Sequence, residues 1–363
     1  MRNILLVTLL LLSTSMTAGD SLDVERPRQS WLSRFIHHLS YTDTNYVEPQ
    51  HYNWSAMVQG TYNYDIYRLS TNGSDGQSVT FSPRAGIKVG PYFGWRWVFL
   101  GYSIDLKNIS FGSNNTTQGF DFSFYSAPIT ADIFYRHTRN NYRIRHLELG
   151  DDIDTGPLEG LPFDGIKVGI TGVNLYYIFN HKRFSYPAAF NQSTRQKVSC
   201  GSWMAGVGYL RNSIDFDYEK LEEMIVERLG SSVHLNSNLH FNSIEYSNIS
   251  ASLGYAYNWV FARNFLFCGS LAMALAYKRT YGEGNSSKGL DLDLKNFNLD
   301  GIGRFGIVYN NDRWYAGTSA IVRAYNYKKS TFAANNIFGS LQLYVGYNFG
   351  ARKAYKKGKN HKD

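Results

Sequence analysis

Near the end of the chain, Leu341, Leu343, Val345, Tyr347 and Phe349 hold every second position, with Gln342, Tyr344, Gly346 and Asn348 between them. In an extended chain successive side chains point to opposite faces, so a period of two predicts a strand that meets two different environments. Twelve stretches of this kind are read at 54–70, 80–94, 95–111, 119–136, 141–149, 163–180, 196–212, 243–261, 264–281, 294–310, 312–328 and 336–350. Their length and their single apolar face predict an all-β fold, a transmembrane antiparallel up-and-down β-barrel of about 12 strands. A soluble β-sandwich or propeller is the alternative.

The connections carry a second pattern. Tight joints fall at 94–95, 137–140, 262–264 and 310–312, which are connections two, four, eight and ten. Long ones fall at 71–79, 112–118, 150–162, 212–242, 282–294 and 329–335, which are all odd. Outer-membrane barrels have short periplasmic turns and longer extracellular loops, so this parity predicts that both barrel termini are periplasmic. The sixth connection, 181–195, breaks the rule: it is long, and Phe184, Tyr186, Pro187 and Phe190 gain nothing from a freely solvated turn. Two readings stand for it, an ordinary long turn or a segment folded into the mouth or lumen as a plug.

Two stretches have helical rather than strand spacing. Leu221, Met224, Ile225 and Leu229, followed by Gly230, predict a short helix in the seventh connection. Trp31, Leu32, Phe35, Ile36 and Leu39 predict another before the barrel. At the start, Met1-Arg2-Asn3, an apolar run over 4–12 and the small residues of 13–19 have the form of a secretory signal. The expected organisation is therefore a signal peptide at 1–19, a periplasmic segment at 20–53, the barrel at 54–350 and a basic periplasmic tail at 351–363.

Composition adjusts this picture little. Aromatic residues make up 16% of the chain and there are 33 glycines, yet the mean hydropathy is −0.34, as suits a wall with one lipid face and one wet face. Five of the eight net positive charges sit in the tail, a feature that fits a solvated end or contact with an envelope protein or anionic polymer. Cys200 and Cys268 fall on strands seven and nine of this count. The intervening strand sets them about 9 to 10 Å apart at ~4.8 Å per strand, too far for a disulfide, so free thiols are expected.

Residues 177–180, 183–190, 192–193 and 196–197, which include Arg183-Phe184-Ser185-Tyr186-Pro187-Ala188-Ala189-Phe190, resemble a hallmark of an uncharacterised family of Bacteroides-type proteins, domain of unknown function 4421. Asp43-Thr44-Asn45-Tyr46 and Lys88-Val89-Gly90-Pro91-Tyr92-Phe93-Gly94-Trp95 extend the resemblance. It covers residues from about 40 to 350 and implies an outer-membrane location. It implies no activity, ligand or catalytic residue.

Strand parity assigns an interior. With Ala85, Ile87 and Val89 toward lipid, Arg84 and Lys88 face the lumen, together with Asp105, Asp132, Arg136, Arg304 and Arg323. A charge on the lipid face at the midplane costs about 2–4 kcal/mol, which holds these residues inward. They form either a structural ion-pair network or a selectivity ring for small polar or anionic solutes. Ser250, Ser252, Gly254, Ala256, Ser270, Ala272 and Ala274 leave one inner wall bare, with room for solute, water or the sixth connection.

Recognised enzyme motifs are missing: there is no phosphate-binding loop, dinucleotide fingerprint or metal-ligand spacing, so no catalytic, cofactor or metal residue is assigned. A barrel-embedded phospholipid acyl hydrolase would need a Ser–His pair, for which His146 is the one intramembrane candidate. The chain thus reads as a monomeric, exported Gram-negative outer-membrane protein without nucleic-acid partners. It is a porin-like narrow conduit or a binding module for small envelope or environmental molecules, or else a non-transporting structural or interaction protein.

Overall fold

The structure, a computed structural model, describes residues 42–71, 76–83, 86–95, 98–101, 104–105, 117–139, 141–150, 152–281, 296–328, 332–352 and 355. The chain divides into two units, Met1–Ser40 and Tyr41–Asp363, and all described residues belong to the second. The signal peptide, the helix expected near Trp31, Arg84 and the end of the basic tail lie outside the described residues.

Twelve wall strands follow one another along the chain. The first four are β1 (Tyr52–Thr71), β2 (Ser78–Pro83 continued by Ile87–Trp95), β3 (Val98–Gly101 with Ile104–Asp105) and β4 (Thr117–Tyr125). Then come β5 (Ile129–Arg139), β6 (Ile166–Ile178), β7 (Cys200–Phe216) and β8 (Ser243–Ala262). The last are β9 (Phe265–Tyr281), β10 (Phe297–Asn310), β11 (Trp314–Lys328) and β12 (Phe332–Ala351).

Each pairs antiparallel with its neighbour in a ladder running from β4 through β12 and on through β1 to β3. The decisive joint is β12 with β1, registered from Phe332 opposite Thr71 to Ala351 opposite Tyr52, because it joins the last strand to the first. The two ends of the ladder, β3 and β4, are themselves consecutive in the chain. This is the up-and-down order of an outer-membrane β-barrel. Its termini lie at one end, here called the turn end, and the longer connections lie at the other, the loop end.

Why these segments are wall strands is visible in β6. Val173, Leu175 and Tyr177 are exposed while Asn174, Tyr176 and Ile178 between them are buried. The same alternation leaves Val207, Ile249, Leu253, Leu271, Met273, Leu275, Leu343 and Val345 on the outer surface. Apolar groups facing outward from a wall whose inside is packed are stable only against lipid. Trp54, Trp95, Trp203, Trp259 and Trp314 gather on the outside near the turn end, where indole rings suit the boundary between acyl chains and headgroups. Among the described residues no helix is long and apolar enough to cross a membrane.

Among the described residues the wall strands number twelve, but two of the expected boundaries move. The stretch read as one strand over 119–136 is two, β4 and β5, joined by a turn at Ser126–Pro128. There Ser126 Oγ donates to the Ile129 carbonyl at 2.8 Å and accepts the Ile129 amide at 3.1 Å. Pro128 has no amide proton to give a ladder, which is why the strand ends here. Conversely, the strand read at 141–149 is not part of the wall between its chain neighbours: β5 pairs directly with β6. Residues Tyr142–Glu148 instead pair with the Ser78–Pro83 half of β2 and with Pro162–Phe163 at the loop end. Arg143, Arg145, His146 and Glu148 could not face lipid, whereas Tyr142, Ile144 and Leu147 pack inward. The tight joint at 137–140 therefore belongs to the loop end.

The interior is filled in three zones. At the loop end an apolar cluster includes Phe81, Phe134, Tyr142, Ile144, Phe163, Phe216 and Phe338. It is roofed by the helix Tyr218–Leu229, whose Leu221 and Ile225 are fully buried. The helix starts on Asp217, which accepts the Lys220 amide at 3.0 Å, and stops at Gly230, whose φ of 101° an L side chain would resist. At the turn end a second cluster is built around Phe184, Tyr186, Ala188 and Ala189 of the sixth connection. Charged side chains lie between the two.

Candidate functional site

The charged zone follows from strand parity. Asp132 and Arg136 are four apart on β5, Arg304 lies on β10 and Arg323 on β11, and all four point inward. Asp132 and Arg304 have no exposed surface and form an ion pair, with Ser123 Oγ donating to Asp132 Oδ1 at 2.6 Å. Arg323 Nη2 stands 3.9 Å from the same carboxylate. The guanidinium of Arg304 also lies over the Tyr176 ring at 5.1 Å, and that of Arg323 lies over Phe134 at 4.9 Å. Each cation thus faces a π-system of the adjoining apolar zone, which offsets part of its lost hydration. Arg136 donates to the carbonyls of Tyr64 and Gly339, at 3.4 and 3.3 Å, and rests on Phe338.

The remaining lumen candidates are placed less fully. Lys88 is half-buried on β2 and stands opposite Asp105 of β3 in register, although the side chain of Asp105 lies outside the described residues. Arg84 does so entirely. Sequence reasoning missed a second buried pair, Lys278 on β9 and Asp300 on β10, with Nζ 3.4 Å from Oδ1. Asn248 Nδ2 and the Asn326 amide also donate to Asp300, at 3.2 and 3.0 Å. Buried Asp65 on β1 was missed as well. Parity would have found all three, since Asp300 is four residues from Arg304 and Lys278 four from Ala274.

The sixth connection enters the barrel. Phe184, Tyr186, Pro187, Ala188 and Ala189 are buried and Phe190 is half-buried, with a short helix at Pro187–Phe190. Tyr186 and Phe190 stack around Tyr125 of β4, at centroid separations of 6.0 and 5.2 Å. The opposite side of the plug meets the bare wall: Ala256, Cys268 and Ala272 join its cluster. Small residues here are a seat rather than an opening. A Cβ on Gly306 would come to 3.4 Å from Phe190 Cε1 and 3.5 Å from the Ala189 carbonyl oxygen.

Hydrogen bonds fix the plug from two sides. Asn258 of β8 donates from Nδ2 to the Ser185 carbonyl at 2.8 Å and to Gln196 Oε1 at 3.0 Å, and that oxygen also accepts the Ser185 amide at 3.0 Å. Gln192, held at a φ of 54°, donates to the Tyr344 hydroxyl at 2.8 Å. From the other side the strand Val47–Pro49 pairs with Thr194–Gln196. Glu48 binds Arg195, and His51 lies 3.3 Å from Glu48 and 2.7 Å from Asp312. Residues 43–46 and 177–197, two of the three stretches that carry the family resemblance, therefore meet in one unit, while the third, 88–95, lies on β2.

Two further expectations meet the structure here. Cys200 on β7 and Cys268 on β9 are free, with Asn258 of β8 between them in register. His146 sits on the loop-end hairpin, not in the membrane-spanning wall, with Nδ1 2.7 Å from Glu159 Oε1. The histidine expected to be intramembrane is thus outside the wall. Among the described residues no group of three or more His, Cys, Asp or Glu is placed to hold a metal ion.

Comparison with known proteins adds a family and a set of barrels. The family model described as domain of unknown function (DUF4421) matches residues 41–349. No curated protein matches the sequence. Among solved structures, the chain is similar to the outer-membrane protease OmpT from Escherichia coli at 9% identity and a TM-score of 0.34, over 82% of this chain and 97% of that one. It is similar to the translocator domain of the autotransporter NalP from Neisseria meningitidis at 10% identity and a TM-score of 0.31, over 88% and 93%. For the toluene transporter TodX from Pseudomonas putida the values are 8% and 0.25, over 81% and 90%.

Proposed function

The chain belongs to the DUF4421 family, and from that premise we propose that it is a closed outer-membrane barrel acting as a binding or interaction module of the envelope, without catalysis. In this reading it is exported behind its signal segment in Gram-negative, Bacteroides-type cells. It stands as a monomer in outer-membrane lipid with its turn end toward the periplasm, where the basic tail meets an envelope protein or polymer.

The observation that carries the proposal is the occupied interior. Arg304 and Asp132 are wholly buried in mid-barrel, the plug closes the turn end, and the helix Tyr218–Leu229 roofs the loop end. A twelve-stranded wall encloses a bore that side chains of this size can fill. The conduit reading requires both the plug and the ion pairs to move, so it stands second. Single-channel recording in planar bilayers tests the choice. The closed reading expects no sustained conductance from the full chain, and a steady open-pore current would overturn it.

A further inference from the structure

A cleft of about 520 Å³ opens at the turn end, between the plug and the turns that join β8 to β9 and β10 to β11. Its wall includes Ala188, Leu266 and Val308 on the inside and Phe265 and Trp314 toward the outer surface. Four cationic side chains line it, Arg195, Lys197, Arg263 and Arg313, and no Asp or Glu does.

Two ion pairs form at this end, Arg195 with Glu48 and Arg183 with Asp43, and Asp312 is hydrogen-bonded to His51. The other three cations of the cleft form no ion pair among the described residues. Two of them are nevertheless positioned by neutral partners. Lys197 Nζ donates to the Thr44 carbonyl at 3.1 Å. Arg313 Nε donates to the Tyr347 hydroxyl at 2.9 Å, and its guanidinium lies 5.5 Å from the centroid of that ring. Arg313 is thereby held by one edge, leaving its other donors for a ligand.

We propose that this cleft binds a phosphoryl group, carried by a phospholipid headgroup or by a soluble phosphate ester. A carboxylate offers one charge and two oxygens, which a single guanidinium satisfies in bidentate fashion. Three uncompensated cations around one cleft match the near-double charge and three terminal oxygens of a phosphate monoester, and for a phosphodiester headgroup, with one charge and two terminal oxygens, they leave donors for the headgroup's hydroxyls and ester oxygens. The apolar inner wall accommodates the organic remainder, and the aromatic edge at Phe265 and Trp314 lies where a lipid would enter. The site does not depend on whether the barrel conducts.

The test uses the full chain and two probes. Glycerol 3-phosphate is titrated calorimetrically into protein in a neutral detergent. Phosphatidylglycerol retention is measured by native mass spectrometry from nanodiscs that also contain phosphatidylcholine. The proposal expects at least one probe to bind, with affinity falling about tenfold or more in R263Q/R313Q and unchanged in K167Q, whose lysine is exposed at the loop end. Binding of the lipid alone identifies a headgroup site, and binding of the soluble ester identifies a small-molecule site. Failure of both probes to bind, or equal binding by the double variant with its thermal unfolding unaltered, would overturn it. Should R263Q/R313Q fail to fold, R263Q alone is read by the same measure, since the Arg263 side chain forms no ion pair or hydrogen bond among the described residues.

Discussion

Replacing Asp132 by Asn keeps the shape of the side chain and removes one charge from the centre of the barrel. The cost is set by what that charge compensates. Arg304 is fully buried and has no other carboxylate within ion-pair distance among the described residues, and Arg323 loses a negative charge 3.9 Å away. Deleting one partner of a buried pair typically costs about 3–5 kcal/mol, because the remaining charge is stranded in a poor solvent. Stacking on Tyr176 and Phe134 recovers little, since a desolvated cation–π contact is worth about 2 kcal/mol and is already present in the parent.

The assay is reversible urea unfolding from lipid vesicles, followed by tryptophan fluorescence, for Asp132→Asn, Arg304→Met and the double variant Asp132→Leu/Arg304→Met. Replacing both members of a buried pair by apolar groups is commonly neutral, so the double variant is expected to regain the part of the loss that belongs to Arg304, while Arg323 still lacks the carboxylate 3.9 Å away. A cost below about 1 kcal/mol for Asp132→Asn, or a double variant as unstable as the sum of the singles, would refute the assignment of a desolvated ionic zone.

Other consequences are equally specific. Asn258→Ala removes two donors that hold the plug and strands the Ser185 carbonyl, at a cost of about 1–3 kcal/mol; limited proteolysis in detergent should gain a cut within 182–195 that the parent lacks. Cys200 is partly exposed and Cys268 fully buried, so a thiol reagent should label Cys200 in the folded protein and Cys268 only after unfolding, with no gel shift on reduction. At the loop end the Lys220 ammonium, 2.5 Å from Asp164, holds the Asp164 carboxyl below its ordinary value. Its contribution is present above the unfolded Asp pKa of about 3.9 and lost as pH falls through the lower folded value. Because the pair is exposed, Lys220→Met should alter acid unfolding only slightly, which comparison of the two pH titrations checks.

The sequence made the interior legible where a single rule governs it. A charge costs too much in lipid, so Asp132, Arg136, Arg304 and Arg323 could be oriented without knowing any strand end. The same rule applied to Asp65, Lys278 and Asp300 reaches the second buried pair. The fold of 117–165 was less legible because two local signals compete there. The apolar run through Phe120 and Phe134 conceals the turn at Pro128, whereas the alternation of Tyr142, Ile144 and Leu147 is satisfied by packing on loop-end neighbours as well as by a membrane wall. The sixth connection was marked by its aromatic content, but its anchors were not, since Asn258 and Gln196 acquire meaning only when β8 lies beside the plug. The cleft arises from four cations on three separate connections, and no sequence spacing announces it.

Closure of the barrel by its own chain is tested most directly by the accessibility of its bare inner wall. In a background with Cys200 and Cys268 replaced by Ser, cysteine is introduced at Ala272 or Ala274 on β9, both buried inside the barrel, and at exposed Ser231, in the loop-end turn that follows the helix Tyr218–Leu229, as the reactive reference. A membrane-impermeant maleimide applied to protein in sealed vesicles and in detergent should label the reference and leave both interior cysteines unmodified. Rapid modification of Ala272→Cys or Ala274→Cys in the folded protein would show a solvent-filled lumen and contradict the account.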